Sequence, residues 1–557
     1  MKRYNWLIIS VALVLQLAIP VKADALSAPK REFRTAWITT ENGLDWPQSL
    51  VPEEQQQQLC AMLDSLQRYR FNAVCFQVRS SCDALYASSI EPWSSVVTGV
   101  RGQEPSYDPL RFVVDECHKR GLECHAWVTP FRFECDSASL TPADEALLAE
   151  DKLITWNGET ILNPAQNRTT ARLVAVCQEI VKTYDVDGLV FDHCAYQRGL
   201  PLDERAGDFQ PWIDSGVKMA LSQWRLHAIS RNVREVYEML QNQPYVRFGV
   251  AVDGVATSDS NVLYNCNLTP CPGEEWQYSE AFSNPLDWLL GQDIDYLAPT
   301  MHWLTTDTVT PAGKLIAWWG AATAQYERAS FPLFDLTTPD ASVQEWANQV
   351  QLMRAGNSDG QAGAHFSPSN VLCPIDGTTS LAQRLSLAVY PTQALPPAMT
   401  WKTAANPGEV SELAVNDGLL TWRGIDRMRY SVYAFPLLPD GTIFDCQPQY
   451  LLGIAYDSTY VLPESVREGY RYAVCVLDRL GNEYAPAFTE VNCLAVDGDL
   501  NGDGVVDVSD VSLMIDVVLG LSDAQDMSAS ADLNGDRQVD VSDVNILIDR
   551  VLGISPQ

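Results

Sequence analysis

DPLRFVVDECHKRGLECHAWVT, residues 108–129, is the stretch on which the fold turns. Asp108 reads as a helix N-cap, with Pro109 at the first helical position, where its missing N–H costs nothing. The helix closes at Lys119-Arg120-Gly121. Basic side chains complement the negative end of the helix dipole there, and glycine adopts the left-handed conformation that ends the helix. A strand over Glu123–Thr129 follows almost at once, joined only by Gly121-Leu122. A helix handing over to a strand through so short a connection is the repeating joint of an α/β fold.

The pattern repeats outward from that joint. Short β-branched or aromatic runs recur at Thr35–Thr39, Asn72–Val78, Glu123–Thr129, Asp187–Phe191, Arg247–Val252, Ile294–Thr300, Phe331–Leu336 and Gly363–Phe366. Helical patterns lie between them. In the first, Leu59, Met62, Leu63 and Leu66 share one face of a 3.6-residue period. The helix-to-strand connections are short, as at Arg70-Phe71. The strand-to-helix connections are long: Arg79 to Asp108, His193 to Asp214, Asp253 to Ser283. Eight such units predict a (β/α)₈ (TIM) barrel over residues 31–389, with an open doubly wound sheet as the alternative. The long loops all fall on one face, where a barrel builds its active site.

The rest of the chain is bounded by composition and motif. It has 557 residues, 46% of them apolar, so several folded domains are expected rather than disorder. A net charge of −33 argues against nucleic acid and anionic lipid as partners. Lys2-Arg3, the apolar run Leu7–Pro20 and Val21-Lys22-Ala23 read as a signal peptide over residues 1–23, which implies secretion without membrane insertion. No cysteine lies near the cut, so no lipid anchor is expected. Most of the 14 cysteines fall in apolar strands or helix faces and read as small buried hydrophobes, Cys60, Cys75, Cys117, Cys124 and Cys177 among them. Cys266 and Cys271 share a loop and form the best candidate disulfide, and Cys446, Cys475 and Cys493 could hold one more. Past the prolines at 391, 396 and 397, residues 398–494 show short alternating strands, such as Leu419–Trp422, Tyr430–Ala434 and Tyr470–Val476. They predict a seven-strand sandwich of the fibronectin type III kind, acting as a spacer.

From Asp497 onward there are 13 Asp, no Glu and two Arg, a local net charge of −11. Much of that charge lies in a repeat. Asp499, Asn501, Asp503, Asp507 and Asp510 fall at positions 1, 3, 5, 9 and 12 of one loop, and Asp532, Asn534, Asp536, Asp540 and Asp543 at the same positions of a second, 33 residues on. This is the oxygen-donor spacing of an EF-hand-type Ca²⁺ loop. Each loop leads into a helix. The pair, residues 497–554, resembles a type I dockerin, which implies docking to a cohesin-type protein. Gly504 sits at the sharp turn of the first loop and Arg537 at that of the second, where the resemblance implies a weaker site.

The best carboxylate for chemistry is Asp192, in Gly188-Leu-Val-Phe191-Asp192-His193, where a buried strand ends at the loop-built mouth. Glycoside hydrolysis uses two carboxyl groups across the scissile bond. Asp253, ending strand five, is the partner candidate, by analogy with α-amylase-like barrels that pair acids on strands four and five. Glu41 and Asp335 are reserves. Gln77, Arg79, His125, Trp127, Arg132, His193, His302 and Trp303 stand at or near other strand ends and read as sugar contacts, through hydrogen bonds and ring stacking. No zinc motif, phosphate loop or serine elbow is present, so no catalytic cofactor is expected.

Several segments match a known family: Arg31-Glu-Phe-Arg34-Thr-Ala-Trp37, Leu44-Asp45-Trp46-Pro47, Phe71–Arg79, Asp83-Ala84-Leu85-Tyr86, Ile90-Glu91-Pro92-Trp93-Ser94, His125-Ala126-Trp127, Tyr184–Gly188 and Leu297-Ala298-Pro299. In that order they resemble the glycosyl-hydrolase-like 10 family of secreted bacterial proteins. The resemblance implies a barrel glycosidase acting on a polysaccharide, peptidoglycan glycan included. It also matches Asp192 to the first member of an Asp-Asp pair. Three positions depart from the family: His193 replaces the second Asp, Thr129 an Asn after strand three, and His302 a Tyr at strand six. These changes leave open a non-catalytic, glycan-binding scaffold.

Overall fold

In the computed structural model, the described residues are 28–134, 140–150, 153–357, 360–374, 380–437, 445–467, 469–489, 498–501, 505–521, 531–536 and 538–553. The expected signal peptide, Asp503, Gly504, Arg537 and Cys493 lie outside them. Residues 33–388 alternate strand and helix: β1 Phe33–Ile38, α1 Pro52–Arg68, β2 Ala73–Arg79, α2 Pro109–Lys119, β3 Glu123–Val128, α3 Asn167–Thr183, β4 Gly188–Phe191, α4 Leu221–Leu240, β5 Arg247–Asp253, α5 Pro285–Gly291, β6 Tyr296–Met301, α6 Ala312–Ala324, β7 Leu333–Asp335, α7 Val343–Gly356, β8 Gly363–Ser367 and α8 Leu381–Ala388. The strands pair in parallel in chain order. Leu333 and Phe334 of β7 pair with Thr300 and Met301 of β6, and β8 pairs with β1, so the sheet closes. Closure rules out the doubly wound alternative and establishes the (β/α)₈ barrel.

Local chemistry forms these elements as the sequence suggests. The Asp108 side chain caps α2 by accepting the Arg111 N–H, and Ser342 and Ser380 cap α7 and α8 in the same way. α1 buries Leu59, Met62, Leu63 and Leu66 against the sheet, each contributing about 1.5–3 kcal/mol by leaving water. The barrel interior is filled by rings: Phe33, Trp37, Trp127, Tyr296 and Phe331, with His125 and His365 among them. Space for them comes from absent side chains. A Cβ on Gly249 would lie 2.0 Å from the Tyr296 ring, and one on Gly188 would lie 2.5 Å from His125 Nδ1.

Seven further strands form two antiparallel sheets: β9 Ser411–Asn416, β10 Leu419–Arg423, β11 Arg429–Pro436, β12 Leu451–Ala455, β13 Thr459–Val461, β14 Tyr470–Leu477 and β15 Glu483–Phe488. The sheet orders are β9-β10-β13 and β12-β11-β14-β15. This sandwich packs on the barrel and closes its N-terminal end with buried charge pairs. Arg429 Nη1 meets Glu123 Oε1 at 2.6 Å, Arg479 Nη2 meets Asp187 Oδ1 at 3.2 Å, and Lys402 Nζ meets Asp295 Oδ2 at 2.7 Å. The His118 ring stacks on Tyr456 with centroids 3.8 Å apart and bonds Asp187. Two helices, α9 Val508–Val518 and α10 Val541–Val551, follow and pack on each other.

The twelve described cysteines are free thiols. The expected Cys266–Cys271 bridge is therefore not formed. Cys266 ends the short helix Ser260–Asn265, Cys271 lies beyond it, and both are buried as small apolar groups. Cys446 and Cys475 approach each other with sulfurs 3.9 Å apart and are not bonded.

Candidate active site

A cavity of about 380 Å³ opens where the barrel strands end. Asp192 stands just past β4 on one side and Asp253 ends β5 on another, and both line it. Trp37, Trp127, Trp276 and His302 contribute to its walls.

Asp192 is almost fully buried. Thr129 Oγ1 donates to its Oδ1 at 2.7 Å, and His193 Nδ1 bonds Oδ2 at 2.8 Å. Burial pushes the carboxyl up, but the charge and hydrogen bond of His193, with the Trp127 indole and the Thr129 hydroxyl, more than offset it and hold the group below its ordinary value. The same pairing raises His193. His193 adopts a left-handed backbone conformation, φ 44°, which costs a non-glycine residue about 1–2 kcal/mol. That turn places the imidazole beside Asp192, with 69% of the His193 side chain still exposed to the cavity and solvent.

Asp253 has the opposite bias. The Val255 N–H donates to its Oδ1 at 2.9 Å and the Trp276 indole to its Oδ2 at 3.1 Å. Burial dominates over these contacts and over the attraction of His302, so the carboxyl is raised. One acid is thus biased toward the anion and its cavity neighbour toward the protonated form. Divergent environments of this kind separate a base or nucleophile from a proton donor. Further round the cavity wall, past β6, His302 Nδ1 pairs with Asp335 Oδ2 of β7 at 2.9 Å. That contact raises His302; Asp335 is lowered, its burial outweighed by the hydrogen bonds from His302 and Thr337.

The remaining expected contacts divide. His193, His302 and Trp127 line the cavity. The buried Trp127 indole faces Asp192 and adds to the lowering of that carboxyl. Gln77 is a brace: its Oε1 accepts from Thr39 Oγ1 and the Thr40 and Glu41 N–H groups at 2.8–3.1 Å, and its Nε2 reaches Thr129 Oγ1 at 3.4 Å. Arg79 is buried against Glu91 at 2.9 Å and donates to the Thr129 and Pro130 carbonyls, fixing the loop after β3. His125 lies inside the barrel beside Glu123, far down the strand from the mouth. Trp303 packs partly buried on the core, edge-on to His302. Arg132 pairs with Glu41 at 2.6 Å beside the cavity.

Trp276 and Gln277 escape the sequence reading. They sit in the long irregular loop after β5, and no periodicity or motif marks them. Gln277 accepts the Asp253 N–H through its side chain. Only the length of that loop signalled a role.

At the C-terminus the two loops are near copies. Asp507 and Asp540 each cap a helix with a capping box, at φ −139° and −138°. Asp510 and Asp543 are buried and accept N–H groups from Leu500 and Asp507, and from Leu533 and Asp540. Asp532 Oδ1 accepts the Gly535 and Asp536 N–H groups at 2.8 and 3.1 Å. All donors of Asp499, Asn501, Asp532, Asn534 and Asp536 are oxygens or amides suited to a hard cation. In this conformation, no three His, Cys, Asp or Glu side chains gather about a common point among the described residues.

Comparison with known proteins agrees with this architecture. The family described as Glycosyl hydrolase-like 10 matches residues 32–329, and the Dockerin type I domain matches residues 497–552. The chain is 28% identical over 403 residues to glycosyl hydrolase YngK of Bacillus subtilis, covering 69% of this chain and 76% of that protein. It is 29% identical over 322 residues to glycosyl hydrolase DigH of Escherichia coli K12, covering 54% and 71%. Among solved structures, the glycoside hydrolase domain of PgaB (BpsB) from Bordetella bronchiseptica superposes with a TM-score of 0.44 and 12% identity, over 65% of this chain and 99% of that one.

Proposed function

The chain belongs to the glycosyl hydrolase-like 10 family, and from that premise we propose that its barrel is a secreted glycoside hydrolase acting on a polysaccharide, with peptidoglycan glycan as the first candidate. The observation that carries this reading is the cavity shared by Asp192 and Asp253, two carboxyl groups whose surroundings bias them in opposite directions. Asp192, held anionic, acts on the anomeric carbon or on the attacking water. Asp253, whose carboxyl is raised by burial, delivers a proton to the leaving oxygen. Water adds across the glycosidic bond: if Asp192 attacks the anomeric carbon, the Asp253 carboxylate then takes the proton of the incoming water and is restored; if Asp192 instead deprotonates the water, exchange with solvent resets both carboxyls. Trp127 Nε1 and His193 contact the sugar, and Gln77 and Arg79 position the loops that present Thr129 and Asp192.

The sandwich is read as a fibronectin type III-like domain over residues 398–494. Its three- and four-strand sheets support this, as does the Tyr472 hydroxyl, which donates to the Val466 carbonyl at 2.6 Å in the manner of a tyrosine corner. Residues 497–554 are read as a calcium-loaded dockerin that attaches the enzyme to a cohesin-type protein. Bound Ca²⁺ would draw the Asp and Asn oxygens of each loop inward and order the docking face.

Release of reducing ends from a glycan panel that includes peptide-free peptidoglycan strands tests the catalytic reading. Asp192→Asn is expected to lower turnover by about 10²–10⁴-fold, the range for loss of a positioned acid–base group. A wild-type chain that binds these glycans without cleaving them would instead favour the scaffold reading, for which His193 in place of the family's second Asp is the supporting observation. Chelation of calcium is expected to abolish cohesin binding and leave turnover unchanged, measured by pull-down and by the same assay.

A further inference from the structure

The two carboxyls of the cavity stand on neighbouring strands, and the loops that follow those strands are fastened to each other. The Tyr196 N–H, past β4, donates to the Ala281 carbonyl, past β5, at 2.9 Å, and the Gly199 N–H to the Glu280 carbonyl at 3.2 Å. Arg198 pairs with Glu280 at 2.7 Å, and its guanidinium lies 5.0 Å from the centre of the Trp276 ring. Residues 277–283 turn back on themselves, the Ser283 N–H donating to the Gln277 carbonyl at 3.0 Å. Phe282 makes that turn in a left-handed conformation, φ 54°, a strain that persists only where packing fixes it. Its buried ring lies 6.1 Å from that of Tyr196 and 4.7 Å from the Arg225 guanidinium.

Inside this clasp one side chain joins the two strands. Gln277 is buried, and its amide offers both an acceptor and a donor. Its Oε1 accepts the Asp253 N–H. Its Nε2 donates to Ser283 Oγ at 3.2 Å, and Ser283 Oγ donates to the Cys194 carbonyl at 2.9 Å. The series therefore begins on the backbone of one acid and ends two residues past the other. Trp276, the preceding residue, holds the Asp253 carboxyl itself through its indole. Trp276, Gln277, Ser283 and Cys194 all line the cavity of Asp192 and Asp253.

We propose that Gln277, acting through Ser283, is a positioning residue: its carboxamide fixes where Asp253 stands relative to Asp192 and keeps the Asp253 carboxyl seated against the Trp276 indole. The effect on turnover rests on the hydrolase reading of the cavity, whereas the seating of Asp253 belongs to the resting protein. The charges that act on Asp253 come from His302, paired with Asp335, and from Arg198, paired with Glu280. Asp192 and His193 line the same cavity, and the nearby Cys271 thiol is pushed up to about 12 by burial, so it is neutral. Gln277 is uncharged, so its replacement by another neutral side chain moves Asp253 without adding to that field.

The indole N–H of Trp276 reports the seating by heteronuclear magnetic resonance on the full-length protein, where its signal is identified by its loss in Trp276→Phe. That signal is expected to move with pH as Asp253 ionises, with a midpoint above the ordinary carboxyl value, and to stop moving in Asp253→Asn. Gln277→Met keeps the side chain's length and removes both hydrogen bonds. The midpoint should then fall by about one unit toward the ordinary value, as water reaches the loosened carboxyl. Ser283→Ala cuts only the next link and should move the midpoint the same way by less, which keeps the test open if the methionine variant does not fold. On peptide-free peptidoglycan strands, Gln277→Met should lower kcat by about 10–10²-fold, the scale of a misplacement of about 1 Å, and leave KM unchanged. A midpoint that stays in place in folded variants, an indole signal indifferent to Asp253, or an unchanged kcat beside a moved midpoint would overturn the positioning role. A wild-type chain that releases no reducing ends while the midpoints move as expected would leave the seating standing and sink the hydrolase reading instead.

Discussion

The two ends of the barrel treat carboxylates in opposite ways. At the N-terminal end, Glu123, Asp187 and Asp295 are buried and met by Arg429, Arg479 and Lys402 from the sandwich or the segment leading into it. At the C-terminal end, Asp192 and Asp253 are met by a hydroxyl, an imidazole, an indole and a backbone N–H. A guanidinium is always charged, so Glu123 and Asp187 are held as anions. Asp187 is a case in point: burial pushes it up, yet His118, Arg479 and Arg429 hold it far below the carboxylate range. Histidine and neutral donors leave the second set free to exchange protons. The same residue type therefore serves stability at one end and chemistry at the other, according to which cation stands beside it.

Removing the cation tests the closed end. Arg429→Ala would leave Glu123 buried with His125 at 3.2 Å as its near partner. Breaking a buried pair on one side costs about 3–5 kcal/mol. Denaturant unfolding should show that loss, while the folded fraction retains its turnover. An equal fall in turnover per folded molecule would mean that the ends are coupled, and the contrast would fail.

The open end predicts a change in pH response. Asp253 is raised by burial, so activity should fall as pH rises through its folded value and the donor loses its proton. Asp253→Asn is expected to lower turnover by about 10²-fold and to abolish the alkaline limb of the rate profile. If the limb persists, Asp253 is not the donor, and His193, raised by Asp192, becomes the group to test.

The same contrast marks what the sequence made legible. The α2–β3 joint and the eight strand runs are local patterns, and both appear where expected; the duplicated Asp repeat lies in the segment that matches the Dockerin type I domain. Asp192 and Asp253 share one cavity, since strand ends converge in a closed barrel. Gln77, Arg79 and His125 were readable as residues near strand ends but not as braces or interior packing. Whether a side chain faces the mouth or a neighbouring loop depends on partners such as Glu41 and Glu91, which come from other units of the barrel. The docking of Arg429 on Glu123 spans 306 residues and has no local signature. Trp276 was hidden for the same reason.

The smallest expected effect isolates the neutral donors of the open end. Thr129→Val keeps the side chain's shape and removes the 2.7 Å hydrogen bond to Asp192. Because Asp192 is depressed in the folded state, its ionisation contributes stability that is present above the unfolded value and lost as pH falls through the folded one. Without the hydroxyl, burial gains ground and the folded value moves up. The acid limb of the rate profile should then shift to higher pH by about one unit, equivalent to the ~1.4 kcal/mol of one such bond. Acid unfolding should begin at correspondingly higher pH. Thr129→Ser retains the donor and should restore both. A valine variant with an unmoved acid limb would show that His193 and Trp127 hold Asp192 anionic without the hydroxyl, and the contrast drawn from the neutral donor Thr129 would fail.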